Sequence, residues 1–233
     1  HLARMLNLPI AIFSALSAGS FNTQSWMLIG IVLLSVLCIG SVFYSLICAG
    51  ILFKGEMWQK MAKSSWFNFI FAALGVLCTI YSGFLLTQAV GISFWNTALI
   101  PLLWIMSGLA SAIGCIELLA AFHLIDTNSV RWSRRTALWV EIAELFTIFA
   151  FLHVALGSVL TGARVGAESL ISGPQSTMFW VGVIACGCVT PLLLNLVTKN
   201  HKVLACGAVL GIMGALFLRA SVLFAGYYDP IVF

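Results

Sequence analysis

The fold is decided by residues Ser25–Phe53, which read SWMLIGIVLLSVLCIGSVFYSLICAGILF and contain no charged side chain. A helix needs about 20 apolar residues to cross a hydrocarbon core of roughly 30 Å. In lipid, every backbone N–H and C=O must find a partner within the chain, and a helix provides one. Five further runs are similarly apolar: Trp66–Val90, Ala98–Phe122, Thr136–Leu160, Met178–Thr198 and Val203–Gly226. We therefore predict an all-α polytopic transmembrane helix bundle with six visible spans.

The composition agrees with a membrane protein. Hydrophobic residues make up 62% of the chain and charged residues 8%, and the mean hydropathy is +1.11. A soluble domain would carry about 25% charged residues. The net charge of +4 is spread over short loops, so we expect contact with the lipid bilayer and no nucleic-acid binding. No soluble domain interrupts the runs, and we expect residues 1–233 to form a single bundle.

The N-terminal segment 1–24 precedes the first run and begins with His1 rather than Met. No cleavable signal pattern is present in it. We expect that one or more N-terminal helices are missing from this sequence. The segment itself is expected to face outward or to lie at the membrane interface.

The loops differ in charge between the two sides of the predicted bundle. One side holds eight basic residues: Lys54, Lys60, Lys63, Arg131, Arg134, Arg135, Lys199 and Lys202. The other side holds Arg4 and Arg164. Short cytoplasmic loops are enriched in Lys and Arg, so this split predicts that the lysine-rich and arginine-rich loops are cytoplasmic.

Ionisable groups within the spans are candidates for function, because charge is costly in hydrocarbon. They are Glu117, Glu141, Glu144, His153 and Arg219. The spacing of Glu141 and Glu144 places both on one helical face, and His153 falls on the face opposite Glu144. The three glutamates are candidates for proton transfer. For Glu117 and Glu141 the alternative is snorkelling to the cytoplasmic end or a salt bridge with a loop residue. For Arg219 it is a structural pair or a backbone-carbonyl ligand within the bundle.

The sequence offers no set of metal ligands. Seven cysteines lie inside the apolar runs, where thiols are usually inert hydrophobes: Cys38, Cys48, Cys78, Cys115, Cys186, Cys188 and Cys206. Only His153 among the four histidines lies well within a span, so a pair of axial haem ligands cannot be assembled. We expect neither a metal site nor a haem in this chain.

Two stretches resemble a known family. Tyr81–Leu86 reads YSGFLL, and Phe94–Gly108 reads FWNTALIPLLWIMSG. Together they resemble the NrfD/PsrC family, the membrane-anchor subunits of polysulfide reductase and related molybdenum oxidoreductases. Weaker likenesses, some of them to the related dimethyl sulfoxide reductase anchors, lie at His1-Leu2, Asn7-Leu8-Pro9, Ser25-Trp26-Met27, Leu218-Arg219 and Ala225-Gly226.

The resemblance implies a quinone-binding anchor without haem in a prokaryotic cytoplasmic (inner) membrane. It would bind menaquinone or ubiquinone and exchange electrons with a four-cluster iron–sulfur subunit, which serves a bis-molybdopterin catalytic subunit in anaerobic respiration. Tyr81 and His1 match quinone-site residues of these relatives, and Arg219 is expected nearby. Such a protein would be enzymatic as the quinone-reactive subunit of an oxidoreductase complex, with no catalytic residues assigned.

Two other classes of function stay open at this stage. A transporter or channel for a small solute or proton could line its path with the same carboxylates, although we find no convincing internal repeat. A purely structural anchor is the third possibility. Tyr81 lies about 14 Å below the outer boundary, where its phenol needs a hydrogen-bond partner, and either a neighbouring helix or a quinone carbonyl would serve.

Overall fold

The computed structural model describes residues 26–51, 55–62, 64–125, 132–198 and 201–227, and all regular elements in these ranges are helical. The elements are α1 (Trp26–Cys48), α2 (Glu56–Ala62), α3 (Ser65–Thr87), α4 (Leu99–Ala121), α5 (Ser133–Leu156), α6 (Thr161–Ile171), the π-helix π1 (Met178–Val189), α7 (Thr190–Val197) and α8 (His201–Phe224). The predicted outward-facing segment 1–24 lies outside the described residues.

The predicted fold class is confirmed. Six helical segments are long and apolar enough to cross a membrane: Leu28–Cys48, Ser65–Thr87, Leu99–Ala121, Ser133–Leu156, Met178–Val197 and Val203–Phe224. Their mean hydropathy lies between 1.7 and 2.5. These segments match the six predicted runs, with ends that differ by a few residues.

The chain divides into two compact units, residues 1–78 and residues 79–233. In the first unit, the Tyr44 hydroxyl donates a hydrogen bond of 2.7 Å to Asn68 Oδ1, which joins α1 to α3. The ring of Tyr44 also packs against Phe67 and Phe71. Most other side chains of α1 are exposed and apolar, as suits a lipid-facing helix. The prediction of a single bundle stays a prediction.

The second unit contains most of the buried core. Helix α8 packs against α4 and π1, and α5 packs against α4. Phe94, Phe151 and Phe179 are almost fully buried, and the rings of Phe94 and Phe151 lie 5.0 Å apart. Aromatic and aliphatic side chains therefore fill the centre of this unit.

Small residues allow two close backbone approaches in the second unit. A Cβ atom at Gly187 would lie 2.5 Å from the Cα atom of Gly214, so π1 and α8 touch through their backbones. A Cβ atom at Gly83 would lie 2.5 Å from the Cα atom of Pro101. Packing of this kind through small residues is typical of helices in membranes.

The fifth span departs from the single helix that the sequence predicts over Met178–Thr198. It is a π-helix up to Val189 and an α-helix from Thr190 onward. The Thr190 N–H donates to the Ala185 carbonyl, five residues back, and the Thr190 hydroxyl donates to the same oxygen at 2.8 Å. Pro191 follows and has no N–H to continue the ladder, so the hydrogen-bond register changes at this point.

Helix α6 occupies a segment that the sequence predicts to be an outward-facing loop. Its buried residues recur at helical spacing and are mostly small: Gly162, Ala163, Gly166, Ala167 and Leu170. A Cβ atom at Gly166 would fall 2.6 Å from the ring of Phe94. The segment is too short and too polar to register as a span, but its small-residue face packs tightly on the core.

Candidate functional site

The two carboxylates of α5 face the interior of the second unit. Glu141 is 8% exposed and Glu144 is 4% exposed. Their separation of three residues places them on one face, as predicted, and that face is the buried one. The exposed position of His153 on the same helix agrees with the prediction that it lies opposite Glu144. The Glu141 side chain is therefore buried and does not snorkel to the cytoplasmic end.

Asn195 of α7 is the hydrogen-bond partner of Glu141. Its side-chain Nδ2 donates to Glu141 Oε1 at 3.2 Å, and Asn195 itself is 4% exposed. The backbone carbonyl of Asn195 accepts hydrogen bonds from Arg134 Nε at 2.9 Å and Nη2 at 2.5 Å. Arg134 lies in the first turn of α5, so these bonds tie α7 to α5 at two levels.

Two oxygen atoms in this cluster lack hydrogen-bond donors. Glu141 Oε2 and Asn195 Oδ1 are both buried and unpartnered. Both residues line a cavity of about 20 Å³, which is enough for one water molecule. A buried acceptor without a donor is costly, so the two oxygens mark the cavity as a place for a polar or positively charged guest.

Glu117 of α4 lines the same cavity and is half-buried. Its carboxylate interacts electrostatically with Arg134 and with Glu141, and it lies within reach of the Ser133 hydroxyl. Ser133 is itself 4% exposed. The structure thus brings Glu117 and Glu141, which lie on different helices, to one site. The interaction of Glu117 with Arg134 is of the kind that the salt-bridge alternative describes.

Arg219 of α8 lies at a second polar position, against α4. Its Nε is 3.4 Å from Ser107 Oγ, which accepts the hydrogen bond, and its Cζ lies 6.0 Å from the centre of the Trp104 ring. A Cβ atom at Gly108 would lie 3.6 Å from Arg219 Nη2, so glycine leaves room for the guanidinium. Arg219 also interacts electrostatically with Glu144.

Comparison with known proteins gives the family. The family model described as "Polysulphide reductase, NrfD" matches residues 5–230. The chain belongs to this family. It is a multi-pass membrane protein, as the six apolar helices and the family together indicate.

Three curated relatives are similar to this member of the NrfD family. "Protein NrfD" of Escherichia coli is 31% identical over 164 residues, which cover 66% of this chain and 50% of that protein. "Protein NrfD homolog" of Haemophilus influenzae is 26% identical, with the same shares covered. A polysulfide reductase subunit of Wolinella succinogenes is 27% identical over 157 residues, 63% of this chain and 49% of that protein. The chain thus spans about half the length of these relatives. No solved structure matches.

The residues assigned to the quinone site by resemblance are placed only in part. His1 lies outside the described residues. Tyr81 is half-buried on α3. Thr79, two residues before it, is the α3 residue that meets Gly108 beside the Arg219 guanidinium. Residues two apart do not share a helical face, so the contact of Thr79 does not place Tyr81 next to Arg219.

Three residues that complete the two polar positions were not predicted as site residues: Asn195, Ser107 and Arg134. Asn195 and Ser107 lie inside apolar runs, and Arg134 was predicted only to indicate membrane topology. For Asn195 a signal was present, because an amide in the middle of an apolar run needs a partner. Trp95, at the start of one of the two family-like stretches, donates from Nε1 to the Val222 carbonyl at 3.0 Å, which gives it a structural contact.

Proposed function

We propose that this chain is the quinone-binding or quinol-binding membrane subunit of a multi-subunit respiratory oxidoreductase. It would exchange electrons between the quinone pool and a four-cluster iron–sulfur subunit, which in turn serves a bis-molybdopterin catalytic subunit. Membership of the NrfD family and the similarity to a protein named as part of polysulfide reductase support an oxidoreductase complex. The prokaryotic inner membrane, with the lysine-rich loops in the cytoplasm, is part of the same proposal.

The observation that carries the quinone proposal is the guanidinium of Arg219 inside an apolar span. Guanidinium groups offer five N–H donors and accept none, and a quinone head group presents carbonyl oxygens that accept hydrogen bonds. Trp104 is 5% exposed and its ring lies 6.0 Å from Arg219 Cζ, so it helps to hold the guanidinium in position. The bound quinone, menaquinone or ubiquinone, would supply two-electron redox chemistry, and this protein would orient it.

The other proposed quinone contacts are Tyr81 and His1. The half-buried phenol of Tyr81 can donate to a carbonyl oxygen, and an imidazole titrates near neutral pH and so can hold a proton. The buried carboxylates Glu117, Glu141 and Glu144 are the proposed groups for moving protons. Each of them is held inside the second unit, away from the lipid-facing surface.

The test uses membranes that contain the intact complex and follows quinol-dependent electron transfer. Arg219→Gln should lower turnover by about ten-fold or more, because hydrogen bonds to charged groups contribute about 1.5–3 kcal/mol. Arg164→Gln is the matched control, since Arg164 is exposed on α6, and it should leave turnover unchanged. Equal turnover in the two variants would contradict a role for Arg219 in quinone binding.

A second candidate function is a transporter or channel for a proton or small solute. The observation that favours it is the break between π1 and α7, because interrupted helices with freed backbone groups often build transport sites in membrane proteins. Flux into vesicles that contain this protein without redox partners would support transport. Electron transfer that needs an iron–sulfur subunit, with no such flux, would support the quinone proposal instead.

A further inference from the structure

The charges inside the second unit do not balance. Of its carboxylate and guanidinium side chains in the described ranges, five are buried or half-buried: Glu117, Glu141, Glu144, Arg134 and Arg219. Three carboxylates against two guanidinium groups leave one negative charge when all are ionised. Uncompensated charge in a low-dielectric interior is strongly unfavourable, so one additional positive charge is required.

Two oxygen atoms without hydrogen-bond donors indicate where the additional positive charge would bind. Glu141 Oε2 and Asn195 Oδ1 are buried acceptors without donors, and both residues line the cavity together with Glu117. The Asn195 amide is oriented by its hydrogen bond from Nδ2 to Glu141 Oε1, which directs Oδ1 elsewhere. The side-chain atoms left without a partner at this site are acceptor oxygens, which favour a cation or a hydrogen-bond donor.

Backbone groups also line the same cavity. Pro191 lies on its wall and provides no N–H, so it cannot donate to a carbonyl in the preceding turn of π1. Gly187 and Gly211 also line it and carry no side chains that would fill the space. The close contact of Gly187 with Gly214 limits movement of this side of the cavity, because the backbones of π1 and α8 cannot come closer together.

We propose that this cavity binds one exchangeable monovalent cation, Na⁺. The volume of about 20 Å³ suits a single small guest, and one positive charge completes the charge balance. Hard cations such as Na⁺ prefer carboxylate, amide and carbonyl oxygens. The titratable groups that line the site are Glu117 from α4 and Glu141 from α5. The charged or titratable groups that interact electrostatically with the buried carboxylates are Arg134 and Glu144 from α5, Cys188 from π1 and Arg219 from α8.

This inference goes beyond the proposed quinone function, and its test needs no quinol. The full protein is purified in its complex and reconstituted in lipid vesicles. Binding of radioactive Na⁺ and proton release on addition of Na⁺ are measured, together with the infrared absorption of protonated carboxyl groups across a pH series. Binding of one Na⁺ per protein identifies Na⁺ as the guest. A carboxyl band that responds to pH and not to Na⁺ would show that protonation of a carboxyl group balances the charge, and it would overturn the Na⁺ proposal.

Glu141→Gln should abolish Na⁺ binding, because removal of one carboxylate balances the remaining charges. Glu168→Gln is the matched control, since Glu168 is exposed on α6, and it should behave as the native protein. If Glu141→Gln does not fold, Asn195→Ala serves instead. It removes Oδ1 but keeps the backbone carbonyl that Arg134 binds, and it should weaken binding at least ten-fold.

Absence of Na⁺ binding by the native protein, or Na⁺ binding that is unchanged in Glu141→Gln or in Asn195→Ala, would overturn the proposal. Cation binding without quinol turnover would leave this site standing and reject the quinone function. Quinol turnover without cation binding would do the reverse, so the two failures are distinguishable.

Discussion

The position at Arg219 is donor-rich, because the guanidinium itself carries five N–H groups, whereas the position at Glu141 is acceptor-rich, because two oxygen atoms there have no donor. The guanidinium of Arg219 meets a serine hydroxyl and an aromatic ring. Glu141 and Asn195 each leave an oxygen without a donor, and the nearby Arg134 donates to a backbone carbonyl instead. Although both positions lie in one compact unit, they are suited to different guests: a carbonyl-bearing molecule at the first and a cation at the second.

The largest expected effect is a loss of stability from a substitution in the wall of the cavity at the acceptor-rich position. Gly187→Val should lower the free energy of unfolding by about 3 kcal/mol, because its side chain would collide with the backbone of Gly214. Thermal unfolding of the protein in detergent measures this. Gly75→Val is the control, since a Cβ atom at Gly75 meets nothing within 4 Å. Equal losses in the two variants would show that the contact between π1 and α8 does not hold the cavity.

A smaller loss of stability is expected from a substitution of Arg134, which lies beside the acceptor-rich position. Arg134→Met should destabilise the protein by about 2 kcal/mol, because two charge-assisted hydrogen bonds to the Asn195 carbonyl are lost. Arg135→Met changes the neighbouring exposed arginine and should have little effect on the unfolding temperature. If neither substitution lowered the unfolding temperature, the hydrogen bonds of Arg134 would not contribute to stability, and Arg134 would serve only to set the membrane topology.

The link between the two positions is Glu144, which interacts electrostatically with Arg219. A double-mutant cycle of Glu144→Gln and Arg219→Gln, scored by unfolding free energy, should give a coupling of about 1 kcal/mol. The physical reason is that the charge of each residue offsets the desolvation of the other. Strictly additive effects would mean that the donor-rich and acceptor-rich positions are energetically independent.

The smallest expected effect is at Ser107. Ser107→Ala removes the hydroxyl that accepts from Arg219 at 3.4 Å, and a bond of this length contributes under about 1 kcal/mol. Quinol turnover should therefore fall only a few-fold, and far less than in Arg219→Gln. Ser111→Ala is the control on the same helix, because its hydroxyl donates to the Ser107 carbonyl. A loss at Ser107 as large as that at Arg219 would make the serine a primary ligand.

Most of the fold could be predicted from local sequence, because long apolar runs have few alternatives to helices in lipid. The shared face of Glu141 and Glu144 followed from helical geometry alone. The change from π1 to α7 did not follow, because it depends on Pro191 and on the packing of Gly187 against α8 as much as on local preference. Helix α6 was missed because the small residues that bury it are ordinary in loops as well.

The candidate sites were predictable only as separate residues. The cost of charge in hydrocarbon singled out five residues. Glu117, Glu141, Glu144 and Arg219 are buried or half-buried, whereas His153 is exposed. Their grouping was not predictable, since Asn195 lies 54 residues from Glu141 along the chain and Ser107 lies 112 residues from Arg219. Helix periodicity describes the face of one helix and does not identify the helix opposite it.

The amino-acid order alone therefore determined a helical membrane protein and the few ionisable groups inside its spans, because hydrophobic length and the free-energy cost of burying charge act on each segment by itself. The tertiary structure decided which of those groups meet. It separated a donor-rich position from an acceptor-rich one and left two oxygens unpaired around a small cavity. That outcome depends on how α4, α5, α7 and α8 pack, and packing is settled by contacts between segments that are distant in sequence.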